Sequence, residues 1–333
     1  MPYGVENMEY LNIKDTTLRV SRLCMGGCPL GGYGWGRVQE RELLDAVRTA
    51  LDNGINFFDT ADIYGLGTSE LTLGKALGSR RAEAVVATKF GVRVDGGKTW
   101  YDNSPSWMEQ ALTDSLRRLG TDWVDLWIVH YLDGVTPLED IVEALERYRQ
   151  EGRIRAYGLS NVTARDLERI AEAGGGFVSL QDEYSLACRK NEEILTDSCA
   201  RYGLTPMTWG SLGQGVLTGK YDITTIFGPN DRRSREVYIN FHGEKFRHNL
   251  RIVEAMRPIA AAHNVPLAAV AVRFILDHLP DSVVLTGFKR PAQVLDTLKA
   301  MDWRLTAKEL QELDNISLEF VSPDGETHEE DRT

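Results

Sequence analysis

Four residues that could take part in acid–base chemistry stand at or just beyond the ends of short apolar stretches. Asp59 ends the stretch that begins at residue 55, and Tyr64 follows it five residues later. Lys89 and His130 end two later stretches in the same way. A carboxylate, a phenol, an ammonium and an imidazole at such positions predict one cluster of interacting side chains.

This set of side chains suits proton delivery to an oxygen that becomes negative, as in carbonyl reduction. A phenol has an ordinary pKa of about 10, so a lone tyrosine is a poor acid near neutral pH. A neighbouring ammonium stabilises the phenolate, so we predict that Lys89 lowers the pKa of Tyr64. The Asp59 carboxylate would keep that ammonium charged in apolar surroundings. His130 could donate a hydrogen bond to a carbonyl oxygen.

The elements that must position these groups are short strands separated by amphipathic helices. Eight apolar runs are continuous rather than alternating, which is typical of parallel strands buried on both faces. They are residues 22–27, 55–61, 84–91, 124–131, 154–161, 177–184, 204–211 and 282–289. Helical patterns lie between most of them, for example at 39–54 and 105–120. Several of these patterns end at a glycine, which is a common helix stop signal.

Eight strand–helix units in one chain predict an α/β fold of the (β/α)8 TIM-barrel type. Such a barrel takes about 250 residues plus insertions, and its active site lies at the carboxyl ends of the strands. The alternative is a doubly wound open sheet with a glycine-rich phosphate loop. The stretch "GGCPLGGYGWG" at 26–36 is glycine-rich, but it leads into aromatic residues rather than an amphipathic helix. It is therefore a weak dinucleotide fingerprint.

Three segments lie outside the repeating pattern. Residues 10–21 have short patches of alternating polarity and predict an N-terminal β-hairpin that could plug the bottom of a barrel. Residues 222–249 are long for a connection, so we interpret them as either a functional lid or a disordered insertion. Residues 322–333 form an acidic tail that we expect to be mobile. We predict a single domain over 1–333.

Composition narrows the possible partners. Lysine and arginine total 38 and aspartate and glutamate total 49, so the net charge is −11. This balance argues against nucleic-acid and anionic-membrane partners, which need clustered positive charge. The four cysteines lack the spacing of a metal site, so we predict no bound metal. The polar opening residues and the absence of a long apolar run predict a cytoplasmic enzyme.

Seven sequence blocks resemble the aldo-keto reductase superfamily, in the same order and over nearly the whole chain. They are "NFFDTADIYGLGTSELTLGKAL", "ATKFG", "VDLWIVH", "IRAYGLSN", "LQDEYS", "WGSLGQGVLTGKY" and "LTGFKRPAQVLDTLKA". The catalytic tetrad of that family falls on Asp59, Tyr64, Lys89 and His130. The resemblance therefore implies a nicotinamide-dependent carbonyl reductase on a (β/α)8 barrel, with Tyr64 as the general acid.

The resemblance also implies the residues that hold the cofactor. The nicotinamide carboxamide would contact Ser160, Asn161 and Gln181, and its ring would stack on Trp209. The remaining cofactor contacts would be Gly210, Ser211, Leu212, Gly213, Gly215, Gly287, Phe288, Lys289, Arg290 and Gln293. Lys289 and Arg290 are adjacent cations, which suit the 2′-phosphate of NADPH. We therefore predict NADPH (NADP+), with NADH as a possible substitute.

The predicted substrate is a small molecule with a carbonyl group. Candidate pocket residues are Trp35, Arg93, Trp100 with the adjacent Tyr101, and Tyr131. Aromatic rings with one cation suit a sugar or a small aldehyde. Two alternatives stay open: a sugar dehydrogenase that works in the oxidative direction, and a cofactor-binding regulatory subunit of an ion channel. A metal-dependent hydrolase using His130 and Asp59 would need more His or carboxylate ligands than the strand ends offer. The sequence does not predict the oligomeric state.

Overall fold

The N-terminal part of the chain forms the predicted hairpin. The computed structural model describes residues 7–318, except Tyr33 and Arg37. Strands β1 (Tyr10–Asn12) and β2 (Arg19–Ser21) pair in antiparallel fashion. The predicted tail at 322–333 lies outside the described residues.

Eight parallel strands close into a barrel, which confirms the predicted fold class. Each predicted apolar run contains one barrel strand, and neighbours along the chain are neighbours in the barrel. The strands are β3 (Leu23–Gly26), β4 (Phe57–Asp59), β5 (Val85–Phe90), β8 (Val124–Val129), β9 (Ile154–Ser160), β10 (Phe177–Glu183), β11 (Thr205–Trp209) and β12 (Val283–Gly287). An extra antiparallel pair that the sequence patterns did not predict follows β5: β6 (Val92–Asp95) and β7 (Lys98–Tyr101).

Helices surround the barrel and begin and end at recognisable signals. They are α1 (Glu40–Asp52), α2 (Thr68–Leu77), α3 (Pro105–Leu119), α4 (Leu138–Gln150), α5 (Ala164–Ala173), α6 (Cys199–Tyr202), α7 (Gly243–His263), α8 (Leu267–His278), α9 (Pro291–Leu298) and α10 (Ala307–Leu318). The Ser104 side chain caps α3, and Gly120 ends that helix in a left-handed conformation. Thr163 and Asp166 form a reciprocal capping box at α5.

The hairpin packs into the barrel interior, as the plug hypothesis requires. Ile13, Leu18 and Val20 belong to the same buried cluster as Phe57 and Met207 of the barrel strands. The backbone amide of Lys14 also donates to the Thr205 hydroxyl at 2.9 Å, at the start of β11. The amino ends of the strands are therefore covered, and the carboxyl ends remain for a site.

The segment 222–249 follows the barrel strand β11 and is built of short structured pieces. Arg232–Ser234 and Ile239–Phe241 form 3₁₀ turns, and α7 begins at Gly243. Phe241 packs edge-on against Tyr221 and Phe227, with ring centroids 5.4 Å and 5.0 Å apart. In the structure this segment is ordered around an aromatic cluster shared with Tyr221, and its role as a functional lid stays a prediction.

No single helix within residues 7–318 is both long enough and apolar enough to cross a membrane. The pair α7 and α8 passes that test together by length and composition, with a bend of 95° between the two helices. Both helices contribute buried side chains to the protein core, among them Ile252 and Phe274.

Candidate active site

A buried ion pair lies at the carboxyl ends of β4 and β5. The Lys89 Nζ donates to Asp59 Oδ1 at 2.6 Å and to the Thr60 carbonyl oxygen at 2.9 Å. The side chains of Lys89 and Asp59 are 0% and 3% exposed. Two charges so deeply buried are tolerated because each is paired and further hydrogen-bonded. The neighbouring parallel strands fix this geometry, since Asp59 pairs with Ala87, two residues before Lys89.

Tyr64 lies in the loop after β4, with its hydroxyl oxygen 3.4 Å from Lys89 Nζ. Gly31 packs against the backbone of Tyr64. A Cβ at Gly31 would come within 3.0 Å of that backbone, so only glycine fits at this position. Burial of the hydroxyl raises the pKa of Tyr64 well above its ordinary value, and the Asp59 carboxylate adds to that rise. The predicted lowering of the Tyr64 pKa is therefore wrong for the free protein, because burial and Asp59 outweigh nearby positive charge. Tyr64 stays protonated at neutral pH and is available as a donor.

His130 follows β8 directly and faces Tyr64. Its backbone amide donates to the Phe90 carbonyl at 2.9 Å, and its ring meets the Tyr64 ring edge-on, with centroids 5.9 Å apart. Burial and the Lys89 charge hold the pKa of His130 well below its ordinary value. The imidazole is therefore neutral, and it can donate one hydrogen bond without carrying charge. Its Nδ1 has no hydrogen-bond partner among the described residues.

Two amide side chains join these groups into one network. Gln181 Nε2 donates to Asp59 Oδ2 at 2.9 Å, so Gln181 orients the carboxylate from the far side of the barrel. Asn161 Nδ2 donates to the His130 carbonyl oxygen at 3.1 Å and to Ser160 Oγ at 2.9 Å. Asn161 has a φ of 55°, a left-handed conformation that is strained for a residue with a side chain. The resemblance did not imply the bond between Gln181 and Asp59.

A cavity of about 1000 Å³ opens above this network. The structure brings most of the predicted site residues to its wall. They are Asp59, Tyr64, His130, Ser160, Asn161, Gln181, Trp209, Gly210, Ser211, Leu212, Gly215, Gly287, Lys289, Arg290, Gln293, Trp35 and Tyr131. Lys89, Gly213 and Phe288 are buried and do not line the cavity.

Arg93 and Trp100 do not line the cavity, so the prediction that they do is wrong. Both lie on the β6–β7 hairpin, which the sequence patterns missed. Arg93 Nη1 binds Asp102 Oδ2 at 2.8 Å, and its guanidinium lies 4.2 Å from the Trp107 ring centroid, so its side chain is occupied outside the cavity. Tyr101 at the end of the hairpin stacks on Tyr131, with centroids 4.8 Å apart.

The cavity wall is strongly basic, although the chain as a whole is acidic. Among the described residues, eight cationic side chains line the cavity: Arg189, Lys190, Lys220, Arg232, Arg233, Lys245, Lys289 and Arg290. The acidic residues in the same described lining are Asp59 and Glu183. Sequence reasoning found only Lys289 and Arg290 of the eight. The arginine cluster in "NDRRSRE" was a signal that could have identified two more, because it places three arginines within four residues of an irregular segment.

The residues present fit a phosphorylated dinucleotide. The Asn161 Oδ1 atom is buried and has no hydrogen-bond partner among the described residues, so it can accept from a carboxamide N–H. Trp209 supplies an aromatic side chain in the cavity wall, and the loop after it turns through left-handed residues at Gln214 and Gly215. Backbone amides in such turns can bind anionic oxygens. The basic wall then balances the phosphates.

Curated relatives cover almost the whole chain. An aldo-keto reductase named YhdN from Bacillus subtilis is 30% identical over 318 residues, which is 95% of each chain. A probable voltage-gated potassium channel subunit beta from Oryza sativa is 33% identical and covers 89% of this chain and 92% of its own.

Solved structures and a family model agree with these relatives. A glycerol dehydrogenase from Gluconobacter oxydans is 30% identical with a TM-score of 0.83, and it covers 92% of this chain and 94% of its own. The holo form of an aldo-keto reductase from Bacillus halodurans is 28% identical with a TM-score of 0.78, over 95% and 98% of the two chains. The model of the "Aldo/keto reductase family" matches residues 22–318. The chain therefore belongs to the aldo/keto reductase family, whose members are NAD(P)H-dependent oxidoreductases that act on carbonyl and alcohol groups.

Proposed function

We propose that this protein reduces an aldehyde or ketone to an alcohol with NADPH, and that Tyr64 is the general acid. The observation that carries the proposal is the position of the Tyr64 hydroxyl. It lies 3.4 Å from a buried ammonium, the Tyr64 ring meets a neutral imidazole edge-on, and both residues line a basic cavity. This arrangement supports proton donation to an oxygen that becomes negative.

The cofactor supplies the hydride, and the side chains of the protein manage the proton and the charge. His130 donates a hydrogen bond to the carbonyl oxygen from its neutral ring, which polarises the carbonyl and orients it. Tyr64 then gives its proton to the oxygen. The raised pKa of Tyr64 keeps that proton in place before reaction. Lys89 becomes important afterwards, because its ammonium stabilises the phenolate that Tyr64 becomes. Asp59 and Gln181 hold Lys89 in position.

The preference for NADPH over NADH is proposed from charge. Lys289 and Arg290 lie on the loop after β12, in the basic wall, and Arg233 is close enough to Lys289 to lower its pKa, after the larger effect of burial. Three cations in one place favour a doubly charged phosphate. A relative from Schizosaccharomyces pombe, 32% identical, is named for NADP(+). An NADH-specific methylglyoxal reductase from Escherichia coli, 29% identical, is a counterexample that makes the test necessary.

The oxidative direction is a second candidate, which the glycerol dehydrogenase at 30% identity favours. The same residues would then work in reverse, with Tyr64 as the general base. A base must lose its proton first, and the raised pKa of Tyr64 makes that costly at neutral pH. Near pH 7 the protonated Tyr64 that reduction requires is therefore the predominant form.

The test is NADPH consumption with a panel of aldehydes, ketones and sugars, repeated with NADH. We expect turnover of several aldehydes with NADPH, and loss of turnover in Tyr64→Phe with NADPH binding retained. A Tyr64→Phe protein with near-normal rates would refute the proposed role of Tyr64. Tight NADPH binding with no turnover of any substrate would favour the alternative of a cofactor-binding regulatory subunit.

A further inference from the structure

We infer that Arg232 binds an anionic group of the substrate, so that the preferred carbonyl compounds carry a carboxylate or a phosphate. The inference rests on the proposed reductase function and specifies its substrate class. It replaces Arg93, which does not reach the cavity, with a cation from the segment 222–249.

The loop after β3 fixes the position of Arg232. The backbone amide of Arg232 donates to the Gly34 carbonyl oxygen at 3.0 Å. A Cβ at Gly34 would come within 2.4 Å of Arg232 Cγ and 2.7 Å of its Nε, so the arginine side chain lies directly on this glycine. The next residue, Trp35, lines the cavity and donates its Nε1 to Cys28 Sγ at 3.2 Å. Arg232 is therefore held against the loop that carries the predicted substrate-side tryptophan.

Arg232 lines the same cavity as Tyr64, and its charge acts on groups at the reacting end. Burial raises the pKa of both Tyr64 and Cys28, and Arg232 opposes that rise at each group. Its charge therefore acts on the proton donor itself. The guanidinium also contacts the phenol of Tyr238, whose pKa burial raises and Arg232 lowers. The Tyr238 ring in turn meets the Trp35 ring edge-on, with centroids 6.1 Å apart.

The adjacent Arg233 has different partners from Arg232. It binds Asp231, with Nε 2.8 Å from Oδ1, and contacts the hydroxyl of Tyr221. Its Nη1 would lie 3.9 Å from a Cβ placed on Gly215, in the loop that suits phosphate oxygens. The two consecutive arginines thus have different neighbours: Arg233 is held by Asp231 and Tyr221 and also lies near Gly215, whereas Arg232 lies on Gly34 and contacts Tyr238.

The chemistry of this place suits a short anionic carbonyl compound. The planar guanidinium presents several N–H donors that match two oxygens of a carboxylate or phosphate. Trp35, Tyr131 and Tyr238 line the same part of the cavity and can pack on a short carbon chain. His130 is neutral, so it does not compete for the anion. A charge-assisted hydrogen bond in such a site is worth about tenfold to hundredfold in binding.

Matched substrate pairs test the inference. One pair is butanal and 4-oxobutanoate; the other is glyceraldehyde and glyceraldehyde 3-phosphate. In at least one pair, we expect the anionic substrate to have a kcat/KM at least about tenfold higher than that of the neutral substrate. The pair that shows this difference tells whether the preferred anion is a carboxylate or a phosphate. Added salt should reduce that ratio, because it screens the charge.

Variants of the two arginines separate their roles. Arg232→Gln should reduce the anionic-to-neutral ratio about tenfold, and Arg232→Lys should retain part of it. Arg233→Gln should instead raise the Kd of NADPH and leave that ratio in place. Both kcat/KM values of a ratio are measured on the same protein preparation. A smaller fraction of folded protein therefore lowers both values equally and leaves the ratio unchanged.

Two results would overturn the inference. One is an equal kcat/KM for the anionic and the neutral substrate of each pair in the unaltered protein. The other is an anionic-to-neutral ratio of kcat/KM that does not change in Arg232→Gln. A failure of the proposed function gives a different result, in which NADPH binds but no member of either pair is reduced.

Discussion

The two ends of the cavity are built on different principles. At the reacting end, Asp59 and Lys89 are almost fully buried on adjacent barrel strands, and their ion pair is 2.6 Å long. At the phosphate end, Lys289 is half-buried on a loop and its Nζ donates to the Trp35 carbonyl oxygen at 2.5 Å. The first end presents a fixed charge arrangement, whereas the second presents cations that can change partners.

Because the two ends differ in this way, substitutions at the reacting end should affect the reaction rate, and substitutions at the phosphate end should affect the affinity for the cofactor. Buried groups at the reacting end act on the proton and on the phenolate that forms, so their loss should lower kcat. Loop cations act on the bound phosphates through partly screened charge, so their loss should raise Kd or KM. In the proposed function Lys289 would exchange the Trp35 carbonyl for a phosphate, which would link cofactor binding to the loop that carries Trp35 and Gly34.

The largest effect is expected for Lys89→Met. Removal of the ammonium leaves the phenolate unstabilised, and kcat should fall by about 10³-fold while NADPH binding changes little. The substitution also leaves the Asp59 carboxylate buried without its partner, at a cost of about 3–5 kcal/mol in the free energy of unfolding. Steady-state kinetics and thermal unfolding measure the two effects.

The double variant Asp59→Asn with Lys89→Met is the control for that experiment. It removes both charges, so it should recover much of the lost stability but none of the activity. Recovery of activity together with stability would mean that Lys89 serves only the fold.

The second effect concerns pH and again tests the reacting end. Reduction needs protonated Tyr64, whose pKa lies well above its ordinary value, so reductive kcat/KM should stay flat between about pH 6 and about pH 9. His130 should give no inflection near its ordinary pKa, because its pKa is held well below that value. Oxidation of an alcohol needs the phenolate, so its rate should rise about tenfold per pH unit over the same range.

Pre-steady-state hydride transfer distinguishes this ionisation from slow product release. If oxidation were pH-independent in single turnovers, Tyr64 could not be the base.

The third effect tests the phosphate end. The double variant Lys289→Ala with Arg290→Ala should raise the KM for NADPH about tenfold. It should leave the KM for NADH nearly unchanged, because NADH lacks the 2′-phosphate. Fluorescence titration of each cofactor provides the matching Kd values. Equal losses for the two cofactors would remove the charge argument for NADPH.

The sequence predicted the barrel well because parallel strands buried on both faces leave a strong signal. All eight apolar runs contain barrel strands, and the four tetrad residues meet because parallel strands bring their carboxyl ends to one rim. Resemblance alone did not predict the network between them. Gln181 lies 122 residues from Asp59 in the chain, and their hydrogen bond depends on closure of the barrel.

The errors arose where tertiary contacts decide the outcome. Tyr64 has a raised pKa because burial and Asp59 outweigh the nearby cations, a balance that no spacing reveals. The β6–β7 strands are four residues each and partly polar, so they carry little periodic signal. Arg232 and Arg233 lie in an irregular segment, and only the folded chain shows that both line the cavity and that they have different partners.

The smallest effect is expected for Trp100→Ala, and it tests the outer boundary of the site. Trp100 is 39% exposed on the hairpin and does not line the cavity, so kcat/KM should change by less than about twofold. Trp35→Ala is the matched variant, because Trp35 lines the cavity beside Tyr238 and should raise the substrate KM about fivefold. If Trp100→Ala impaired turnover as much as Trp35→Ala, the hairpin would have to close over the substrate, and Tyr101, which stacks on Tyr131, would be the link that transmits that closure to His130.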